Sequence, residues 1–351
     1  MDFALWHEQA TASPNPGPDV IVPEKLRKMS ETERGRYADK LRVCWRSRPV
    51  ASTLHDQVAQ RMTAALESAL LDPAGARTVL SLSAPYTAGK STMVKQWAQG
   101  LYRDWTGATS ETGRPRGLAA PGMSVDLIPI CYITLTSESR GNDVYAQLMH
   151  FARHSTTRNR GELPLRAVEV IRDHQVRLVI LDDAHMLRTN SVTGRATLNA
   201  IKHLNTELGE RGGVLMLVGA DLTGGEALSD PQIRGRLCEH TLAPYSIDSP
   251  GDRGQWQRFL TACEDRLLPY LPGGEKGLFA AQHAAYIWLL TQGYVGDTTR
   301  LLIEATARVI TTGEPFDRDL MDEVPLSQRA VDARMDLLAL RKSSSGRRAV
   351  G

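Results

Sequence analysis

Lys90 stands in the run Ser83-Ala84-Pro85-Tyr86-Thr87-Ala88-Gly89-Lys90-Ser91-Thr92, directly after a short apolar segment. That order of residue types suits phosphate chemistry. Backbone N–H groups of a glycine-bearing turn wrap phosphate oxygens, the lysine neutralises their charge, and the adjacent hydroxyl binds a divalent cation. The usual pattern opens on glycine. Ala84 holds that place here, which matters only if the position needs a positive φ. A second run, VRLVILDDAH (176–185), ends an apolar stretch on two carboxylates, Asp182 and Asp183. An acid at the end of a buried strand holds Mg²⁺, and its neighbour orients or deprotonates an attacking water. Each run alone has a plain structural explanation: a strand, a turn and an exposed lysine, or a charged strand end meeting solvent. Together they predict ATP and Mg²⁺ as cofactors. Ala84, Pro85, Tyr86, Thr87, Ala88, Gly89, Lys90, Ser91 and Thr92 surround the phosphates, Ser91 and Asp182 hold the metal, and Lys90 and Asp183 act on the reaction. The second acid is usually Glu. Asp183 is one methylene shorter, and a misplacement of about 1 Å costs on the order of 100-fold in rate. Slow hydrolysis or an ATP-dependent switch is expected.

These residues need a strand before each of them and a helix after the lysine. TVLSLS (78–83) reads as the first strand and STMVKQWAQGLY as the helix. Further strands are expected at 125–135, 176–181, 213–219 and 240–245, with helices near 143–153, 164–174 and 195–208. Buried apolar strands alternating with helices imply an α/β fold with a mostly parallel central sheet flanked by helices. Asp182 is then expected on a parallel strand neighbouring that of the phosphate loop. Ser30 and Glu33 form a capping box ahead of one helix, and a second is expected at 53–71. Four prolines, Pro14, Pro16, Pro18 and Pro23, mark residues 1–29 as a flexible arm. The core with its N-terminal helices spans 30–247, a helical lid 248–327, and a basic flexible tail 328–351.

Bulk properties narrow the class. The net charge is +2 over 351 residues, so no whole-molecule field selects nucleic acid. The four cysteines lack C-x-x-C spacing and argue against a disulfide framework or zinc site, which fits a reducing cytoplasm. Membrane and signal segments are not expected. His185, His203 and His240 lack ligand spacing and read as structural, Trp256 and Trp288 as lid core, and Cys131 and Cys238 as buried and inert.

With both motifs placed, the chain resembles an AAA+ P-loop ATPase, and more narrowly the TniB/TnsC-type transposition regulators, over about 50–325. The likeness rests on VRLVILDDAHML, LNAIKHLNTELGERGGVLMLVGADL, LSDPQIRGRL and TQGYVGDTTRLLIEATARVITTGEPFD. The resemblance puts sensor 1 at Asp221 or Gly219-Ala220, with Ala220 where the family carries Thr. It puts the arginine finger at Arg236, with Arg234 as the alternative, and sensor 2 at Arg300. It implies a homo-oligomeric ring or filament on duplex DNA that presents the target to a transposase, with a target-selector protein as a further partner. Residues suited to DNA phosphates are Arg114 and Arg116, then Thr136, Ser137 and Arg140, with Arg341, Lys342, Arg347 and Arg348 in the tail. Two other readings stay open: a STAND or defence-type nucleotide switch, and an ATP-binding scaffold impaired in hydrolysis.

Overall fold

The computed structural model describes residues 1–13, 16–48, 50, 52–136, 141–156, 160–186, 192–222 and 230–348. Along the chain, α1 (Phe3–Thr11), α2 (Pro23–Lys28), α3 (Glu31–Ser47) and α4 (Thr53–Leu70) precede β1 (Val79–Ser83) and α5 (Lys90–Thr106). Then come β2 (Arg116–Ala120), β3 (Met123–Asp126), β4 (Ile130–Thr134), α6 (Gly141–Phe151), α7 (Leu163–Asp173), β5 (Leu178–Asp182) and α8 (Val192–Glu210). β6 (Val214–Gly219), α9 (Pro231–Arg234) and β7 (Leu237–Thr241) lead to α10 (Pro250–Leu267), α11 (Ala284–Thr291), α12 (Val295–Thr312), α13 (Arg318–Asp322) and α14 (Gln328–Arg348). No described helix is long and apolar enough to cross a membrane.

The chain divides into two compact units. The first comprises Met1–Ser13, Gln57–Tyr86 and Lys90–Leu242. Its sheet runs β4-β5-β6-β1-β7, with every pairing parallel. β1, β5 and β6 are buried along their whole length, as continuous apolar runs in a sheet covered on both faces must be. β6 lies between β1 and β5, so the acid-bearing strand is not the immediate neighbour of the phosphate-loop strand, as the sequence had suggested. All six residues of β6 are buried, and such a strand needs a partner on each side. β7 lies earlier than the expected 240–245. It alternates between half-buried and exposed residues, an edge-strand pattern that hid it from a search for apolar runs.

Residues 1–29 are not a flexible arm throughout. Asp2 caps α1 by accepting from Leu5 N at 3.0 Å. Phe3 and Trp6, three positions apart on one helix face, are fully buried. Arg103 donates to the Ala10 carbonyl at 2.6 Å, and His7 Nδ1 meets the Tyr102 hydroxyl at 2.8 Å. The prolines that suggested an arm begin only after α1 ends.

The second unit comprises Pro14–Asp56, Thr87–Gly89 and Ala243–Gly351. The Ser30–Glu33 capping box opens α3 as expected. α3 does not belong to the sheet unit, where the 30–247 boundary had placed it. Leu41 and Trp45 share one core with Trp256, Phe259, Leu301 and Ile310, and Glu304 on α12 pairs with Arg42 at 2.9 Å and Arg46 at 2.7 Å. Residues 328–348, expected as a flexible tail, continue the chain as α14. Its first turn is anchored by Arg329, which pairs with the buried Asp297 and covers the Tyr294 ring at 3.4 Å.

One buried carboxylate organises this unit. Glu264 on α10 is 2% exposed and accepts from the N–H groups of Gly277, Phe279 (2.8 Å) and Ala280 (3.2 Å). It thereby caps the π-helical turn at Leu278–Gln282. Replacing Glu264 with Ala orphans three donors and is expected to destabilise the protein by about 2–3 kcal/mol, read as a lowered midpoint in denaturant unfolding.

Candidate functional site

β1 delivers the phosphate loop from a fully buried strand, and two bonds tie the loop to the end of β6. Ala84 N donates to the Gly219 carbonyl at 3.1 Å, and Leu222 N donates to Ser83 Oγ at 3.0 Å. Ala84 is buried and does not have a positive φ, so the missing glycine costs nothing there. Positive φ falls instead on Thr87 (64°) and Gly89 (86°). Left-handed residues alternating with right-handed ones turn successive N–H groups inward, as in an anion nest. Lys90, the first residue of α5, is 11% exposed, and its Nζ lies 3.5 Å from Asp183 Oδ1. Tyr86 sits beside it, ring centroid 5.9 Å from Nζ.

The acid pair ends β5. Asp182 is 3% exposed, and both its oxygens are engaged. Oδ1 accepts from Asp183 N at 2.8 Å, and Oδ2 accepts from the Tyr132 hydroxyl at 2.5 Å. Burial first, then the Asp182 charge, pushes the Tyr132 pKa far up, so the phenol keeps its proton and donates. Asp183 has φ 58°, a left-handed value that a short polar side chain tolerates. His185 Nδ1 lies 3.9 Å from Asp183 Oδ1 and accepts from Ala220 N at 3.3 Å, with Tyr86 edge-on to its ring. It was read as merely structural, yet it lies against the acid. Tyr132 carried no motif and was missed; only its place on the neighbouring strand reveals it.

Within the second unit, the loop residues Thr87–Gly89 have their own partners. Gly296 N donates to the Thr87 carbonyl at 3.1 Å, and a Cβ at Gly296 would stand 2.7 Å from that oxygen. Thr87 Oγ1 lies 3.5 Å from Asp297 Oδ2, which also accepts from Ser327 Oγ at 3.0 Å and from Arg329. His55 lies beside the loop, and its Cε1 would stand 3.3 Å from a Cβ at Gly89. Arg300, expected as sensor 2, is an exposed residue of α12.

Other candidates fall elsewhere. Arg236 is exposed just before β7, and its carbonyl accepts from Val79 N, the first residue of β1. It therefore lies at the end of the sheet opposite the phosphate loop. A five-residue strand spans roughly 16 Å, so Arg236 does not reach its own chain's loop. Arg234 is exposed at the end of α9, and Asp221, at φ 46°, is exposed past β6. Arg114 and Arg116 flank Asp126 at 2.8 Å and 2.6 Å across the β2–β3 hairpin. Thr136 is exposed after β4, whereas Ser137 and Arg140 lie outside the described residues. Trp256 is buried as expected; Cys238 is only half-buried, with Sγ 3.8 Å from His240 Nε2, because β7 is an edge.

These residues fit a nucleoside triphosphate with Mg²⁺. Thr87 and Gly89 have the positive φ that an anion nest needs, and Lys90 Nζ lies 3.5 Å from Asp183 Oδ1. No group of three or more His, Cys, Asp or Glu side chains gathers among the described residues. One hydroxyl and one carboxylate suit Mg²⁺, which takes its remaining ligands from water and phosphate.

The family model described as "Bacterial TniB protein" matches residues 50–247, more than half of the chain. Among solved structures, the chain is similar to the Aeropyrum pernix ORC2 protein (ADPNP-ADP complexes), with TM-score 0.53 and 14% identity over 82% of this chain and 69% of that one. It is also similar to Cdc6p from Pyrobaculum aerophilum, with TM-score 0.52 and 18% identity over 81% and 71%. At such identities the likeness carries the fold alone. No curated protein matches the chain.

Burial lowers the His55 pKa below its ordinary 6.5, against the opposing pull of the Ala88 contact and Asp56. His154, His240 and His283 are lowered too, in each case by burial first. The unfolded chain binds these protons more tightly, so their contribution to stability is complete above the unfolded value. It is lost as pH falls through the lowered folded values. Tm is expected to drop on acidification from about pH 7 to about pH 5, and His55→Gln to flatten part of that slope in thermal melts.

Proposed function

The chain belongs to the bacterial TniB family, and we propose that it is an ATPase that binds ATP with Mg²⁺ between the phosphate loop and the acid pair and assembles on duplex DNA for a transposase. The observation that carries this reading is the 3.5 Å approach of Lys90 Nζ to Asp183 Oδ1, which joins two motifs 93 residues apart in sequence. In this reading the N–H groups of 86–91 and Lys90 hold the phosphates, and Ser91 and Asp182 hold the metal. Magnesium, when bound, neutralises charge on the β- and γ-phosphate oxygens. Asp183 orients the attacking water or accepts its proton, with His185 at its side. Asp221 stands nearest the sensor-1 role on β6, where Ala220 offers no polar group.

Arg236, at the far end of the sheet, serves a neighbouring copy rather than its own, which supports a homo-oligomer. Family membership supports duplex DNA and a transposase as partners, and the scattered cysteines support work in a reducing cytoplasm. Arg114 and Arg116 take part in DNA contact by exchanging Asp126 for backbone phosphates, with Thr136 and Arg140 as further candidates for phosphate contact. One observation favours a second reading, an ATP-gated switch with slow turnover: the shorter Asp183 stands where Glu is usual.

Turnover and nucleotide binding, with and without duplex DNA, test the proposal. Lys90→Ala is expected to abolish nucleotide binding in a titration with a fluorescent ATP analogue; wild-type affinity would remove Lys90 from the phosphate site. Arg236→Ala is expected to keep ATP affinity but to lose about a thousandfold or more of the assembly-dependent turnover. Loss of binding instead would make Arg236 a structural residue.

A further inference from the structure

Tyr132 is fixed from several sides. It stands in the middle of β4, paired with Ile180, and is 3% exposed. Trp6 stacks on its ring, with centroids 5.9 Å apart and planes 19° apart, and Phe151 packs against Trp6 at 6.2 Å. Lys95 Nζ lies over the Tyr132 ring at 5.3 Å. From that fixed ring the hydroxyl reaches Asp182 Oδ2 at 2.5 Å, within the range of a charge-assisted O–H···O⁻ bond. The other carboxylate oxygen takes the Asp183 N–H at 2.8 Å, so the group is held at both oxygens and does not rotate freely.

We infer that Tyr132 is a positioning residue that sets the orientation of Asp182 toward Mg²⁺, and that α1, through Trp6, holds Tyr132 in place. This rests on the reading of Ser91 and Asp182 as the metal pair. It adds a role for the first helix, which lies outside the stretch matched by the family model. Second-shell partners of metal ligands typically contribute 10- to 100-fold in metal affinity.

The test uses the full-length protein with a non-hydrolysable ATP analogue, and Mn²⁺ binding is read by electron paramagnetic resonance. Tyr132→Phe keeps the ring and its stacking and removes only the hydroxyl. It is expected to weaken Mn²⁺ by about tenfold or more while nucleotide affinity in EDTA stays at the wild-type level. A purely structural role would weaken both. Trp6→Leu leaves the phenol in place, loosens its ring, and is expected to shift Mn²⁺ affinity the same way by less; it decides the matter if Tyr132→Phe does not fold. Asp182→Asn separates the two claims. If it binds Mn²⁺ like the wild type, the metal assignment itself fails. If it loses Mn²⁺ while folded Tyr132→Phe and Trp6→Leu bind it normally, the inference about Tyr132 is overturned and the site stands.

Discussion

A lysine ammonium at the start of α5 and a carboxylate just past β5 stand 3.5 Å apart, although β1 and β5, the strands that lead to them, do not touch. β6 separates them, so their approach depends on the register of three parallel strands. Val79 pairs with Leu215, and Leu215 with Val179, one residue after β5 begins. A shift of one residue along β6 would turn its buried side chains over and draw the acid away from the loop. The apolar filling of β1, β5 and β6 therefore fixes the chemistry as well as the fold.

Thr87–Gly89 group with the helical unit, whose Gly296 and Asp297 touch Thr87. Gly296 is a glycine by necessity, since any Cβ would meet the Thr87 carbonyl. Asp297 is buried and shared with Ser327 and Arg329, so the first turns of α12 and α14 bear on the same threonine.

Much of this was legible in the sequence because local rules and the fold agree. The phosphate-loop lysine, the strand-end acids, the capping box at Ser30 and the run of buried strands each announce themselves by spacing. What escaped was long-range. Tyr132 looks like any strand aromatic until it is seen beside Asp182. Trp6 sits in a segment whose following prolines masked a buried helix. Arg329 lies in a stretch rich in charge, and only its partner Asp297 shows why that helix begins there. The intervening β6 could not be read because strand order is set by crossovers, and these leave no mark on the strands themselves.

The opposite placement of Arg236 and the phosphate loop also makes the protomer polar. Each copy offers an arginine at one end and a pocket at the other, so head-to-tail contacts are heterologous and do not close by a two-fold axis. Under the proposed role of Arg236, an open row leaves one pocket at its terminus without an arginine, and a closed ring leaves none. Under that proposal, activity per molecule would rise with protein concentration and level off as rows lengthen, and the sheet's own polarity would let the chain count its neighbours.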